Sequence, residues 1–405
     1  MKSDVMHRAI IQNQECKFMG EKQLVYLDYA ATTPLDSRVL EKMLPYFALD
    51  FGNPSSVHSW GQKAEAAVEN ARELITKLYK AGKYQIVFTS GGTESDNLAI
   101  KGAARSIKSN FGKNHLLISP VEHPAVARSA EQLVLEGFTL EWLPVDGHGI
   151  VDPDIVAKKI RTDTALVSVV YGQNEIGTIN PIDEIARICR ESDVFFHTDA
   201  VQAAAHLEID LERASPASLA IGAHKFYGPK GIGALLIRKG SKLNKLQNGG
   251  GQEFRMRAGT HNVPGIVGMA AAIEITHNEL RSGEVHERRL RDFLIDGVTG
   301  SIANAKLTGH PLQRLSNHAS FVFEGLDGNT LLMILDSAGF ACSSGSACKS
   351  GNPKPSDVLL AIGIEPKQAL GSLRVTVGRN TQKEDIDAFL KYLPQAVNSA
   401  RKLFS

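Results

Sequence analysis

Lys225 is the residue of this chain best placed to act as an amine nucleophile. Two short apolar runs, at residues 219–221 and 234–237, flank a turn rich in glycine and proline, and His224 and Lys225 begin that turn. The pattern predicts a hairpin that presents the lysine on a rigid corner. A single lysine in a loop is usually a solvated surface residue. A lysine that forms a Schiff base with a carbonyl cofactor needs an acid and an anion site nearby, and the sequence offers candidates for both.

Residues 85–97 predict a binding site for a phosphate group. An apolar run at residues 85–89 is followed by the turn Ser-Gly-Gly-Thr at residues 90–93 and then by a helical pattern. The free N–H groups and the dipole at the start of a helix favour an anion, and Gly91 and Gly92 let the backbone approach it closely. Many turns from strand to helix contain two glycines without binding phosphate, so this signal is weak by itself.

Three polar residues follow apolar strands of one predicted parallel sheet. His123 follows the run at residues 116–119, Asn174 follows the run at residues 165–170, and Asp199 lies at the end of a third run. Ligands of such sheets bind at the carboxyl ends of the strands, so we expect the three side chains to lie together. Taken singly, His123 could be a core histidine, Asn174 a turn residue and Asp199 a helix N-cap.

Together with Lys225, these residues meet the needs of pyridoxal 5'-phosphate (PLP). Asp199 can hold a negative charge against the pyridine nitrogen, which makes the ring an electron sink. His123 can stack on the ring and move a proton, because imidazole titrates near neutral pH. Gln202, three residues after Asp199, can join Asn174 in hydrogen bonding to the phenolic oxygen of the ring or to the substrate.

Two further candidates lie in the last third of the chain. Arg374 alternates with apolar residues in a predicted strand at 372–377, where it is either a surface residue or a bidentate clamp for the carboxylate of an amino acid. Cys348 lies in a run of Ser, Gly, Lys and Pro that is typical of an exposed, mobile loop. Free cysteines are usually buried, so an accessible thiolate here is a candidate nucleophile. For the other three cysteines we expect packing at Cys342, a core position at Cys189 and no role at Cys16.

The elements that must position these residues predict an α/β protein. Apolar strands alternate with helical patterns to about residue 265, which indicates a mostly parallel sheet flanked by helices. A long helix is predicted at residues 266–296, with its charged segment at residues 286–292 facing solvent. Strands and helices of an α+β unit follow it.

Composition excludes several classes of function. The 405 residues contain 45 Lys and Arg against 44 Asp and Glu, so the bulk charge gives no reason to expect binding to nucleic acid or to a membrane surface. Four scattered cysteines form neither a disulfide framework nor a zinc spacing, which favours a reducing, cytoplasmic compartment. No apolar run approaches the ~20 residues of a membrane span.

The sequence resembles the cysteine desulfurases of the NifS and IscS type, within the PLP-dependent aminotransferase class V group. The resemblance covers nearly the whole chain from about Val25. It rests on a series of segments in the same order, which are Y-L-D-Y-A-A-T-T-P, F-G-N-P-S-S-V-H, F-T-S-G-G-T-E-S-D-N, V-E-H-P-A-V, N-E-I-G, D-A-V-Q, A-H-K-F-Y-G-P-K-G-I-G, R-A-G-T-H-N-V-P and S-S-G-S-A-C.

The resemblance implies removal of sulfur from L-cysteine, which leaves L-alanine and a persulfide on Cys348. It implies that Lys225 carries the Schiff base, that Asp199 pairs with the pyridine nitrogen and that His123 stacks on the ring. Arg374 would bind the substrate carboxylate. The remaining cofactor contacts that it implies are Asn174, Gln202, Gly92, Thr93 and His224, together with Thr260 of the partner subunit; no metal is expected.

The implied fold is PLP fold type I, in which a large domain with a mostly parallel sheet flanked by helices is joined to a smaller α+β domain. We expect an N-terminal extension at residues 1–20, a large PLP-binding domain at 35–265, and a small domain at 21–34 and 266–405 that carries the Cys348 loop. The expected partners are L-cysteine, a second copy of the chain and a sulfur-acceptor protein for iron–sulfur cluster assembly, tRNA thiolation or DNA phosphorothioation. We expect no membrane contact and no direct binding to nucleic acid.

Two alternatives stay open at this point. The chain could be another fold type I PLP enzyme, such as a transaminase or a selenocysteine lyase, although Cys348 in its polar loop argues against this. It could also be a sulfur-handling scaffold without turnover, against which the presence of both Lys225 and Cys348 argues. The chain departs from many relatives at Gly222, where they have a serine three residues before the lysine, so one hydroxyl contact to the phosphate is expected to be absent or replaced.

Overall fold

The structure is a computed structural model that describes residues 24–345 and 354–404. The predicted N-terminal extension and Cys348 lie outside the described residues. No helix in these two ranges has both the length and the apolar character that crossing a membrane requires.

Strands and helices alternate through the first two thirds of the described chain, as the apolar runs predict. The strands are β1 (Val25–Tyr26), β2 (Tyr84–Thr89), β3 (His115–Ile118), β4 (Thr139–Trp142), β5 (Thr164–Ser168), β6 (Phe195–Asp199), β7 (Ser218–Gly222), β8 (Gly233–Arg238), β9 (Ala305–Leu307), β10 (His318–Phe323), β11 (Phe340–Ala341) and β12 (Ser372–Thr376). The α-helices are α1 (Ser37–Met43), α2 (Pro45–Ala48), α3 (Ser59–Leu78), α4 (Gly92–Asn97), α5 (Ala103–Phe111), α6 (Pro124–Val134), α7 (Pro153–Lys159), α8 (Ile182–Glu191), α9 (Ala203–His206), α10 (Val263–Ser301), α11 (Gly328–Ser337), α12 (Asp357–Ala361), α13 (Pro366–Ala369) and α14 (Lys383–Phe404). A π-helical turn (Leu98–Gly102) joins α4 to α5, and two 3-10 turns lie at Ala223–Lys225 and Glu253–Arg255.

Seven strands form the main sheet in the order β2-β8-β7-β6-β5-β3-β4. The strands from β7 to β4 are parallel, and β8 is antiparallel to both of its neighbours. The pairing of β7 with β8 is the predicted hairpin, and the 3-10 turn that ends at Lys225 follows β7 directly. The mostly parallel α/β sheet is therefore confirmed.

A second, antiparallel sheet has the order β12-β10-β9. Its apolar face packs against α14 and the second half of α10, where Phe321, Phe389 and Leu294 are fully buried in one core. The short β1 pairs with β11 beside this sheet, and Asp28 just after β1 bridges to Thr376 at the end of β12.

Helix α10 connects the two cores. Its first half contributes Ile266 to the core of the large sheet, and its second half contributes Leu294 to the core of the small sheet. The expectation that residues 286–292 face solvent is wrong for Glu287 and Arg291, each of which is 5% exposed. The helix is covered on that side, so Glu287 is hydrogen-bonded by His206 at 3.0 Å, and Arg291 donates to a backbone carbonyl at 3.0 Å. The exact domain boundaries stay a prediction.

Candidate active site

A cavity of about 250 Å³ lies where the carboxyl ends of the parallel strands face β12. Nine of the eleven site residues predicted from the sequence line this cavity. These nine are Gly92, Thr93, His123, Asn174, Asp199, Gln202, His224, Lys225 and Arg374. Thr260 is exposed and is not among the described residues that line this cavity. Cys348 lies outside the described residues.

The amine of Lys225 is held by backbone oxygens. Its Nζ donates to the carbonyl of Ala30 and to that of Ala31, both at 2.7 Å. Burial, followed by the positive charge of Arg374, lowers the pKa of Lys225 to about 8. A lysine with such a pKa keeps a substantial neutral fraction near neutral pH, which a nucleophilic amine requires.

The glycine turn before α4 has the geometry of an anion cradle. Helix α4 continues through the π-helical turn into α5, so Gly92 is the first residue of a long helical run. The N–H groups of its first turn have no partner within the helix. A Cβ on Gly92 would lie 2.6 Å from a methyl carbon of Val201, so the position has no room for a side chain. Glu94 fixes the turn, because it accepts from the Ser90 N–H at 2.7 Å and pairs with Arg257 at 2.9 Å.

His224 and Gly222 border this turn. Burial, followed by the charge of Lys225, lowers the pKa of His224 to about 4, so the imidazole is neutral, and its Nδ1 lies 3.2 Å from the hydroxyl of Thr32. A Cβ on Gly222 would lie 3.3 Å from the Gly92 nitrogen. A side chain at position 222 would therefore point at the glycine turn. Because position 222 is a glycine, this chain makes no side-chain contact there.

His123 presents one ring nitrogen to the cavity. It is the N-cap of α6, and its Nδ1 accepts the Ala125 N–H at 3.1 Å. In the neutral ring the proton must then be on Nε2. Burial lowers the pKa of His123; the charge of Asp199 opposes this shift and that of Lys225 adds to it.

Two buried acids beside Asp199 were missed by the sequence interpretation. Asp96 is 1% exposed, lines the cavity and shares a hydrogen bond of 3.2 Å with His197. Asp96, His123 and Asp199 each have a ligand-type atom, and all three atoms lie within 4.8 Å of one another. Glu122 is 5% exposed and lies close enough to Asp199 for that charge to raise its pKa. Glu122 directly precedes His123 and Asp96 lies in the helix after the glycine turn, so their positions in the motifs were the available signal.

Negative charge in this cluster concentrates on Asp199. Burial and then the charge of Asp199 raise the pKa of Asp96 and that of Glu122 well above their ordinary values. Burial also raises the pKa of Asp199, but His123, Lys225 and the Val201 N–H, which donates at 2.8 Å, all favour its charged form. Close buried carboxyls cannot all be ionised, and these contacts favour the charged form at Asp199 over its two neighbours.

Gln202 and Asn174 both line the cavity. Gln202 donates one Nε2 proton to the Ala30 carbonyl at 2.7 Å, which leaves the second proton for a ligand. The backbone carbonyl of Asn174 accepts from Arg374 Nη1 at 2.9 Å and from His318 Nε2 at 3.0 Å.

Arg374 faces the cavity and is not a surface residue. It is 7% exposed, and its Nη2 pairs with Asp28 at 2.8 Å. With the Asn174 carbonyl on the other terminal nitrogen, the guanidinium is fixed from two sides. It retains further N–H groups, since a guanidinium has five, and these can bind a carboxylate. Asp28 was not predicted, and its place in the Y-L-D-Y-A-A segment was the only signal.

The donor set fits PLP. It supplies an anionic carboxyl for the pyridine nitrogen, an imidazole for a ring face and an amine with lowered pKa for the covalent link. It also supplies a glycine cradle at a helix start for the phosphate.

Comparison with known proteins adds independent evidence. Residues 25–389 match the family described as aminotransferase class-V. The chain is 46% identical over 382 residues to cysteine desulfurase IscS of Dictyoglomus turgidum, covering 94% of this chain and 96% of that protein. It is 44% identical over 383 residues to cysteine desulfurase IscS of Methanosarcina thermophila, covering 95% and 94%.

Solved structures show the same similarity. A NifS-like protein superposes with a TM-score of 0.86 at 34% identity, covering 93% of this chain and all of that one. SspA in complex with cysteine superposes with a TM-score of 0.76 at 33% identity, covering 87% and 99%.

Proposed function

Because this chain belongs to the aminotransferase class-V family and is a cysteine desulfurase, we propose that the cavity around Lys225 is its active site and that Cys348 receives the sulfur. The fold is that of PLP fold type I. The observation that carries the proposal is the convergence of Lys225, Asp199, His123 and Arg374 on one cavity.

The cofactor proposed for this cavity is PLP. When bound, PLP supplies an electron sink that weakens the C–S bond of the substrate. Lys225 would provide the covalent attachment, the Asp199 carboxylate would pair with the pyridine nitrogen, and His123 would stack on the ring. Asn174 and Gln202 supply amide hydrogen bonds. Gly92, Thr93 and His224 would hold the phosphate, together with Thr260 of the partner subunit.

The substrate is positioned by Arg374, which binds the carboxylate of L-cysteine with the N–H groups that Asp28 and Asn174 leave free. Lys225 and His123 then move protons close to the substrate. Lys225 can do so because its pKa of about 8 lies near physiological pH. His123 can donate from Nε2, because Nδ1 is engaged by the Ala125 N–H.

Sulfur transfer is assigned to Cys348 on the basis of the sequence. The Cys348 thiolate attacks the substrate sulfur, the C–S bond breaks, and its electron pair stays on carbon, which is protonated to give alanine. The described residues on either side of residues 346–353 contact Arg374 and Glu175, which lie in or beside the cavity lining. Ser343 pairs through its backbone with Arg374, and Ser356 shares a hydrogen bond of 2.5 Å with Glu175.

The proposal extends to the assembly and to the fate of the sulfur. Thr260 is exposed and is not among the described residues that line the cavity of its own chain, which supports a homodimer in which it serves the partner's site. The persulfide passes to a cytoplasmic acceptor protein for iron–sulfur cluster assembly, tRNA thiolation or DNA phosphorothioation.

The test is production of alanine and sulfide by the purified protein given L-cysteine and a reductant. We expect the two products in equal amounts. Lys225→Ala should lose the cofactor absorbance and both products, whereas Cys348→Ser should keep the absorbance and lose sulfide. Cys16→Ser is the matched control and should behave as the unaltered protein. Sulfide release at the normal rate by Cys348→Ser would contradict the assigned nucleophile. Colour without either product would direct the search to amino donors and selenocysteine.

A further inference from the structure

His318 lies beside Arg374 on the small sheet. It is the first residue of β10 and pairs with Thr376 of β12, while Arg374 pairs with Ser320 two residues further along β10. Residues directly opposite each other, and those two positions away, share one face of a sheet. His318 and Arg374 are therefore diagonal neighbours on the face that meets the loop around Asn174.

The two side chains share one acceptor. Nε2 of His318 and Nη1 of Arg374 both donate to the backbone carbonyl of Asn174, at 3.0 and 2.9 Å. Nδ1 of His318 has no hydrogen-bond partner in the described ranges. It faces Gly177, where an added Cβ would lie only 2.8 Å from it. The close packing against Gly177, whose φ is +78°, fixes the ring with Nε2 toward the carbonyl.

The imidazole acts as a neutral donor. His318 is fully buried, and burial, followed by the charges of Arg374 and Arg314, lowers its pKa well below the ordinary value. A neutral ring carries a single proton, and the Asn174 carbonyl requires it on Nε2. The second donor on this oxygen therefore adds no positive charge beside Arg374.

We propose that His318 is a positioning residue that sets, through the Asn174 carbonyl, where the Arg374 guanidinium meets the substrate carboxylate. The inference rests on the proposed function, in which Arg374 binds that carboxylate. Without the bond from His318, the Asn174 carbonyl is free to move with Arg374, and the clamp loses its fixed position. Asn174 belongs to a loop of the large sheet, so this bond also aligns the clamp with the cofactor residues.

Three variants at this position separate hydrogen bonding from packing. His318→Gln places an amide N–H near the former Nε2 and retains the bond. His318→Asn places its amide near the former Nδ1, too short to reach the carbonyl, and His318→Leu removes the donor. The holoenzyme of each is assayed for KM and kcat with L-cysteine, for the Kd of the product L-alanine by calorimetry, for cofactor absorbance and for Tm.

We expect the Leu and Asn variants to raise KM and the Kd of L-alanine about 3- to 10-fold, as loss of one hydrogen bond implies. In both, kcat and absorbance should stay near those of the unaltered protein, and Gln should restore KM and Kd. Unchanged KM and Kd in the Leu and Asn variants would overturn the proposal, and so would equal losses in the Gln and Leu variants. If the Leu variant does not fold, the contrast between Asn and Gln carries the test.

Arg374→Gln distinguishes failure of this inference from failure of the proposed site. If that variant binds L-alanine and L-cysteine normally, the proposed role of Arg374 is wrong, and the inference about His318 fails with it. If Arg374→Gln weakens both ligands and the His318 variants do not, only the positioning role is wrong.

Discussion

The amine of Lys225 should react at a pH at which ordinary lysines are almost fully protonated. Its pKa falls from 10.5 to about 8, foremost because burial disfavours the charged form and next because Arg374 is positive. At pH 7 a lysine with the ordinary pKa is about 0.03% neutral, whereas one with a pKa of about 8 is about 10% neutral. The reactive fraction is therefore about 300-fold larger than for an exposed lysine.

The assay uses cofactor-free protein and trace acetic anhydride, with acetylation of Lys225 quantified by mass spectrometry across pH 6 to 11. Exposed lysines of the same chain provide the internal reference. We expect the rate at Lys225 to rise with pH and to reach half its plateau near pH 8.

Two variants should move this midpoint in opposite directions. Arg374→Gln removes a cation that lowers the pKa of Lys225, so the midpoint should rise. Asp199→Asn removes an anion that raises it, so the midpoint should fall. A midpoint near 10 in the unaltered protein, or movement of both variants in one direction, would refute the electrostatic description of the cavity.

Two further variants test the cradle and the loop around residue 253. Gly92→Ala brings a Cβ to 2.6 Å from a methyl carbon of Val201 and should weaken PLP binding roughly tenfold. The control Gly82→Ala, whose added Cβ meets open space, should bind PLP normally in the same titration. Equal affinities of the two variants would exclude a close cradle. Glu253→Gln breaks the buried ion pair of Glu253 with Arg72, at 3.1 Å, and should lower the free energy of unfolding in urea by about 3–5 kcal/mol. The control Glu69→Gln removes the exposed partner of the same arginine and should lower it by less than about 1 kcal/mol. Burial raises the pKa of Glu253, but hydrogen bonds from His261 and Arg72 more than offset this and hold the pKa below 4.5. The stabilisation by Glu253 should therefore be present above pH 4.5 and be lost as the pH falls through the folded-state pKa. A difference in unfolding free energy between the variant and the unaltered protein that stays the same in acid would contradict this.

The parallel-sheet rule accounts for the part of the site that the sequence could predict. His123, Asn174 and Asp199 follow apolar runs, and these runs are strands that end at one edge of the main sheet. The structure brings all three residues to the same cavity. Such runs are recognisable because strands covered on both faces must be apolar throughout.

Long-range pairs and charge states could not be predicted in this way. Asp28 and Arg374 are 346 positions apart, and no local pattern indicates that they pair. The pKa values of Asp96 and Glu122 are raised by burial and by the charge of Asp199, which only the folded structure brings close to them. At residues 286–292, dense charge indicated a solvated face, but Glu287 is buried because His206 packs over it and supplies a partner.

The short segment after β1 explains how residues from two sheets are held in one geometry. The Ala30 carbonyl accepts from both Lys225 and Gln202, and the Ala30 N–H donates to the Thr376 hydroxyl at 3.0 Å. Two residues earlier, Asp28 fixes Arg374. The small side chains of Ala30 and Ala31 leave these backbone groups open to such contacts. The distance between the Lys225 amine and the Arg374 guanidinium is therefore constrained by contacts with this segment, and His318 constrains Arg374 further through the Asn174 carbonyl.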